Sequence, residues 1–165
     1  MFAFFLAALA VAIISVVAAV NLGISPEAYL PATIAQSNVA ASSLLVVREA
    51  AWQYAKANPT VTSGLISVSS YSSYLKAPIS NTSAFSVLIK SGVLYTWTSG
   101  SSAGLATAGS GGVAASAAYK LSDGSRLVGY KAGGILVSPT YGAQPSITLP
   151  SEVPDGAAVA IRPLI

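Results

Sequence analysis

The chain has no histidine and no cysteine, which removes imidazole bases, thiol nucleophiles and the commonest zinc-ligand sets before any spacing is considered. A Ser–Lys dyad is the one nucleophilic arrangement that needs neither residue type. Ser73-Tyr74-Leu75-Lys76 has that spacing, without the Ser-Asp-Asn and Lys-Thr-Gly companions that give it meaning. The carboxylates Asp123, Glu152 and Asp155 lie in turn-forming sequence near Gly or Pro. Solvated turn residues are the rule there, and an acid–base pair would need a cleft to bring them together. Nor do they have the oxygen-ligand spacing of a calcium loop. The glycines of Ser99–Gly112 lack both the Gly-Lys-Ser/Thr ending of a phosphate loop and the strand–turn–helix setting of a dinucleotide fingerprint. No catalytic, cofactor-binding or metal-binding residue is assigned, and the chain reads as a non-enzyme with no cofactor.

Charge excludes a further class. The net charge is +3 and the isoelectric point about 9.3, but Arg48, Lys56, Lys76, Lys90, Lys120, Arg126, Lys131 and Arg162 are spread singly along the sequence. A nucleic-acid partner would require a stripe of them, with stacking aromatics nearby. Only 8% of the residues are charged, against about 25% in ordinary soluble domains. Such a surface suits packing against neighbours better than standing alone in water.

The elements that must position these residues begin with an apolar stretch. Met1–Val20 contains nineteen apolar residues and one polar one, Ser15. As a helix it spans roughly the 30 Å hydrocarbon layer, so residues 1–24 are expected to form a transmembrane anchor. A cleaved signal peptide, with Val17 and Ala19 before the cut, is the competing reading; the missing positive n-region and the length of the apolar run favour retention. The uncharged amino end and the polar-neutral remainder give an amino-end-inside, carboxyl-end-outside orientation. Ala8, Ala12, Ser15 and Ala19 recur at i, i+4, i+7 and i+11, a strip of small side chains on which another membrane helix can pack closely.

Residues 25–37, with Pro26 and Pro31, read as a tether. A helix capped by Ser37 or Asn38 runs to about Ala57, where Asn58-Pro59 stops it. Leu44, Val47, Ala51, Tyr54 and Ala55, joined by Leu45 and Trp52, make its apolar face, and Arg48, Glu49 and Lys56 reach solvent. Trp52 and Tyr54 are read as core. Thr60–Asn81 is a Ser-rich loop with a helical turn near Ser70–Leu75, and Phe85–Ile89 a short helix. Val93–Thr98 is a strand. Of the twenty residues in Ser99–Ala118 all but three are Ser, Gly or Ala, giving a flexible excursion over 99–112 and a short helix over Val113–Lys120. Asp123-Gly124 is a turn into a strand over Arg126–Tyr130, Gly133-Gly134 separates that strand from Ile135–Val137, Pro139–Pro145 is a link, and Ala157–Ile161 is the last strand. The expected class is α+β: a transmembrane helix, then a domain over 38–165 with a long packing helix and an antiparallel sheet of three to five strands.

Several of these segments together resemble one family. They are Tyr54-Ala55-Lys56-Ala57-Asn58-Pro59, Gly92-Val93-Leu94-Tyr95-Thr96-Trp97, Val128-Gly129, Gly134-Ile135-Leu136-Val137-Ser138-Pro139, Leu149-Pro150, Val153-Pro154, Asp155-Gly156 and Val159. With the apolar amino end, the chain is similar to the small PilM family of conjugative and type IVb thin-pilus systems, as distinct from the actin-like protein of the same name. The resemblance implies a non-catalytic, single-pass component of the bacterial inner membrane, part of a type IV pilus assembly or secretion apparatus. Its domain would be periplasmic, and its partners other inner-membrane or periplasmic assembly proteins. A pseudopilin-like or surface-filament subunit, and an anchored Ser–Lys hydrolase, are the alternative functions.

Overall fold

The structure, a computed structural model, describes residues 26–79, 81–99 and 110–164. The chain divides into two compact units, Met1–Ala35 and Gln36–Ile165. The expected membrane helix at 1–24, with its strip Ala8, Ala12, Ser15 and Ala19, lies outside the described residues. Among the described residues no helix is long and apolar enough to cross a membrane. The longest, α1 (Pro26–Ala57), is interrupted by Gln36, Ser42, Ser43, Arg48, Glu49 and Gln53. The anchored architecture is therefore corrected to an α+β fold with, among the described residues, one long helix, several short ones and a seven-stranded sheet.

α1 begins earlier than the capping pattern predicts and takes in the stretch assigned to a tether. The reason is local: Pro26 stands at the first helical position, where no N–H is needed and a fixed φ helps. Pro31 further on forgoes only one intrahelical bond. The helix ends where expected, with the backbone N–H and the Nδ2 of Asn58 both donating to the Tyr54 carbonyl, at 3.0 and 2.9 Å.

Beyond it come β1 (Gly64–Ile66), α2 (Val68–Tyr71), β2 (Phe85–Lys90), β3 (Val93–Thr98), α3 (Ser110–Leu121), β4 (Val128–Ala132), β5 (Ile135–Ser138), β6 (Gly142–Thr148) and β7 (Ala158–Pro163). The sheet runs β1-β2-β3-β7-β4-β5-β6 with every pair antiparallel. Phe85–Lys90 is a strand, correcting the short helix expected there. Phe85, Val87 and Ile89 alternate with Ser86, Leu88 and Lys90, a period of two that matches a pleated strand, and the strand pairs β3 over its full length. β6 replaces half of the expected Pro139–Pro145 link. β7 lies at the centre and joins the β2–β3 hairpin to the β4–β6 meander, so Ala158, Val159, Ala160 and Ile161 are all buried.

One sheet face carries the helices. Leu44, Val47 and Ala51 of α1 and Ala115 and Ala118 of α3 are buried with Val87, Ile89, Leu94 and Val128. Alanine at the contacts lets helix backbones approach the sheet, and each larger side chain, such as the fully buried Leu44, contributes about 2 kcal/mol. The opposite face holds Leu88, Trp97, Leu136, Val159 and Ile161 beneath the crossing segment 149–157, which supplies Leu149, Val153 and Ala157. The β4–β5 turn needs positive φ at both central residues and has Gly133 (58°) and Gly134 (81°), the mirror-image turn that fits strand twist.

Candidate interaction surface

The last three turns of α1 place Arg48, Trp52 and Lys56 at i, i+4 and i+8, in one line along the helix. β7 turns Ile161 to one sheet face and Ala160 to the helix-bearing one, so Arg162, next in alternation, points toward α1. The two elements meet around Trp52. The Arg162 guanidinium lies 3.6 Å from the centre of the indole ring and the Lys56 ammonium 4.4 Å from it. Trp52 Nε1 donates to the Pro163 carbonyl at 3.2 Å, which ties the ring to β7. Trp52 is thus half-buried, packed against the core on one side and occupied by cations on its ring; the core reading of this residue captures only the first part.

Glu49 balances part of this charge. Its Oε2 accepts from Arg162 Nη1 and its Oε1 from Gln53 Nε2 at 3.0 Å. Partial burial pushes the Glu49 carboxyl up, but the hydrogen bond from Gln53, with Arg162 and Arg48 beside it, outweighs that and brings it below its ordinary 4.5. Arg48 is less well served. Burial, and then the charge of Arg162, pull its guanidinium below the ordinary value against the opposing Glu49, and its Nε is shut from solvent with no acceptor. The cluster holds three cations and one carboxylate.

A pH dependence follows from Glu49. A carboxyl with a lowered folded pKa contributes stability that is complete above its unfolded value and is lost as pH falls through the folded one. Melting temperatures followed downward from pH 6 should fall less steeply below about pH 4.5 in Glu49→Gln than in the parent. At neutral pH the substitution should cost about 0.5–1 kcal/mol, as the pair is partly exposed. Parallel acid limbs would remove Glu49 from this role.

A second patch lies where α3 ends. Tyr119 and Tyr141 meet edge to face at 6.2 Å, the Arg126 guanidinium sits 4.5 Å from the Tyr141 ring centre, and Leu121 and Tyr141 are exposed. Hydrogen bonding with Tyr119 and then Arg126 holds the Tyr141 hydroxyl below its usual range. Asp123-Gly124 closes the end of α3, with Gly124 N–H donating to the Tyr119 carbonyl at 3.0 Å.

The residues singled out for catalysis do not converge. Ser73 and Lys76 are both exposed, Glu152 forms an exposed ion pair with Lys90 at 3.3 Å, and Asp123 and Asp155 are exposed turn residues. Among the described residues no group of acidic side chains could hold a metal ion. The surface cluster itself was half legible: Arg48, Trp52 and Lys56 show as a helical line, whereas no sequence signal joins Arg162 to them across more than a hundred residues.

The PilM family model matches residues 11–161. A crystal structure of a protein named PilM from Escherichia coli B7A shares the fold at 21% identity and a TM-score of 0.50, covering 78% of this chain and 92% of its own. No curated protein matches. These findings correct the narrower resemblance. The match is to PilM. The single-pass inner-membrane placement, the periplasmic domain, and partners reached through a span rested on an anchor. No described helix can supply it.

Proposed function

Because the chain belongs to the PilM family, we propose that it takes part in pilus assembly by holding other assembly proteins in contact. The role proposed is that of a non-catalytic scaffold. The observation that carries the assembly reading is the extent of the family match, 11–161 of 165 residues, which takes in both sheet faces, the Tyr141 patch and the helical side of the Trp52 cluster, with Arg162 just beyond it. The clusters support it as well, since Trp, Tyr and Arg dominate the energetics of protein interfaces. Deleting the gene from a piliated strain should abolish pili, and the full chain supplied in trans should restore them. In-cell crosslinking through the Trp52 and Tyr141 surfaces should capture other assembly proteins. Normal piliation in the deletion strain would overturn the reading.

A further inference from the structure

The eight basic residues are single in the sequence, yet the fold brings two of them, Lys56 and Arg162, onto one tryptophan, with Arg48 one turn earlier on the same helix and within the field of Arg162. From this juxtaposition we infer that the surface formed by Arg48, Trp52, Lys56 and Arg162 docks an acidic segment of a partner protein. The inference rests on the assembly role above and specifies its chemistry.

Charge balance is the first argument. Glu49 is the carboxylate of the cluster, and both of its oxygens are already engaged, by Arg162 and by Gln53. Two positive charges are left over, on Arg48 and Lys56. In a chain with only 13 charged residues, an uncompensated pair beside a third cation is a concentrated feature, and opposite charge on a partner steers encounter and fixes register. Pre-organisation is the second. Long cationic side chains lose rotamer freedom on binding, typically about 0.5–1.5 kcal/mol each. Here the Arg162 head is held by the indole face and by Glu49, and the Lys56 head by the same ring, so much of that ordering precedes contact. Third, Trp52 offers a half-buried aromatic anchor in the middle of the line, the arrangement of an interface hot spot.

The geometry also states what the partner must present. Arg48 and Lys56 are eight residues apart on one helix, about 12 Å along its axis. Two carboxylates with that separation occur eight residues apart on a helix or about four apart on an extended strand. A nucleic acid fits less well. Its phosphates form a continuous negative track, which would meet Glu49, and three cations give no stripe for it to follow.

The test uses the full chain and a fluorescein-labelled helical peptide with glutamates at positions i and i+8, alongside the same peptide carrying glutamines. Anisotropy at low salt should show binding of the glutamate peptide and at least tenfold weaker binding of the glutamine one, with the difference shrinking as salt rises. Arg48→Gln combined with Lys56→Gln should weaken the glutamate peptide about tenfold or more, whereas Lys76→Gln with Lys120→Gln should not. Lys56→Glu alone, at an exposed position, should give the same loss if Arg48→Gln impairs folding. Equal binding of both peptides, no binding of either, or tighter binding of a DNA oligonucleotide of matched charge would overturn the inference. In cells, the Lys56→Glu chain should fail to restore pili and lose a crosslink from the Trp52 surface. Full restoration with unchanged crosslinks would refute the docking surface while leaving the assembly role intact, and a deletion strain that still makes pili would refute the assembly role itself.

Discussion

Replacing Gly129 with alanine is expected to destabilise the fold by about 3 kcal/mol, the upper end of the ordinary range for overpacking. A Cβ at this position would lie 2.3 Å from the Val137 carbonyl oxygen and 2.9 Å from its carbon, with Leu136 Cδ1 at 3.1 Å. The leucine methyl can rotate aside. The carbonyl cannot, because it is backbone of β5, fixed on one side by the Tyr130↔Val137 pairing with β4 and on the other by Val137↔Ala143 with β6. Relief requires β5 to move away from β4, straining two ladders at once. Gly133→Ala is the informative contrast: its added methyl meets nothing within 4 Å, but φ is +58°, so only a backbone cost of about 1 kcal/mol applies. Urea unfolding of the two variants should rank them in that order, with faster amide exchange over Ile135–Ser138 in Gly129→Ala. An alanine variant as stable as the parent would show that the β4–β5 approach is not required.

The close approach at Gly129 illustrates what a sequence can and cannot carry. A glycine in a strand pattern announces a bulge or a near neighbour without saying which backbone comes close. Local signals translated directly: Asn58-Pro59 ends α1 at Ala57, and Val93–Thr98 is a strand over its expected limits. Two elements differ from the sequence expectation for identifiable reasons. In Phe85–Lys90 the apolar residues Val87, Leu88 and Ile89 are consecutive, which hides the alternation until pairing with β3 assigns them to opposite faces. Pro145 reads as a turn, but β6 is an edge strand and its pairing with β5 is irregular where Pro145–Ile147 intervene, conditions under which a strand tolerates proline. β7 is legible as a strand, but its central position depends on the whole sheet closing around it. The candidate surface divides in the same way. Its helical line is periodic and legible; its fourth member, Arg162, arrives through strand order alone.

Lys131→Met is expected to lower stability by about 2 kcal/mol and to loosen the segment 149–157. Lys131 is buried, and its ammonium donates to the Val153 carbonyl at 2.7 Å and to the Pro150 carbonyl at 3.1 Å. It belongs to neither described ion pair. Two effects oppose each other. Removing a buried ammonium relieves its desolvation, which on its own would favour methionine. Against that, the acceptors lose a charged donor, a bond of about 1.5–3 kcal/mol, and an orphaned buried carbonyl costs about 1–3 kcal/mol. Pro150 keeps a second donor, the Val153 N–H at 3.2 Å, so the loss concentrates on Val153. That is the residue whose side chain, with Leu149, covers the sheet beside Trp97 and Val159. Methionine preserves the packing of the aliphatic stem, so the change reports the hydrogen bonds. The backbone bonds from Gly156 N–H to the Lys131 carbonyl (2.8 Å) and from Lys131 N–H to Ala157 (3.1 Å) remain, which is why the segment should open locally from its Leu149–Val153 end before the domain unfolds. Hydrogen exchange should therefore accelerate at Leu149 and Val153 more than at Gly156, with a smaller shift in the global urea midpoint. A methionine variant more stable than the parent, with unchanged exchange at Leu149 and Val153, would mean that desolvation outweighs the two carbonyl bonds.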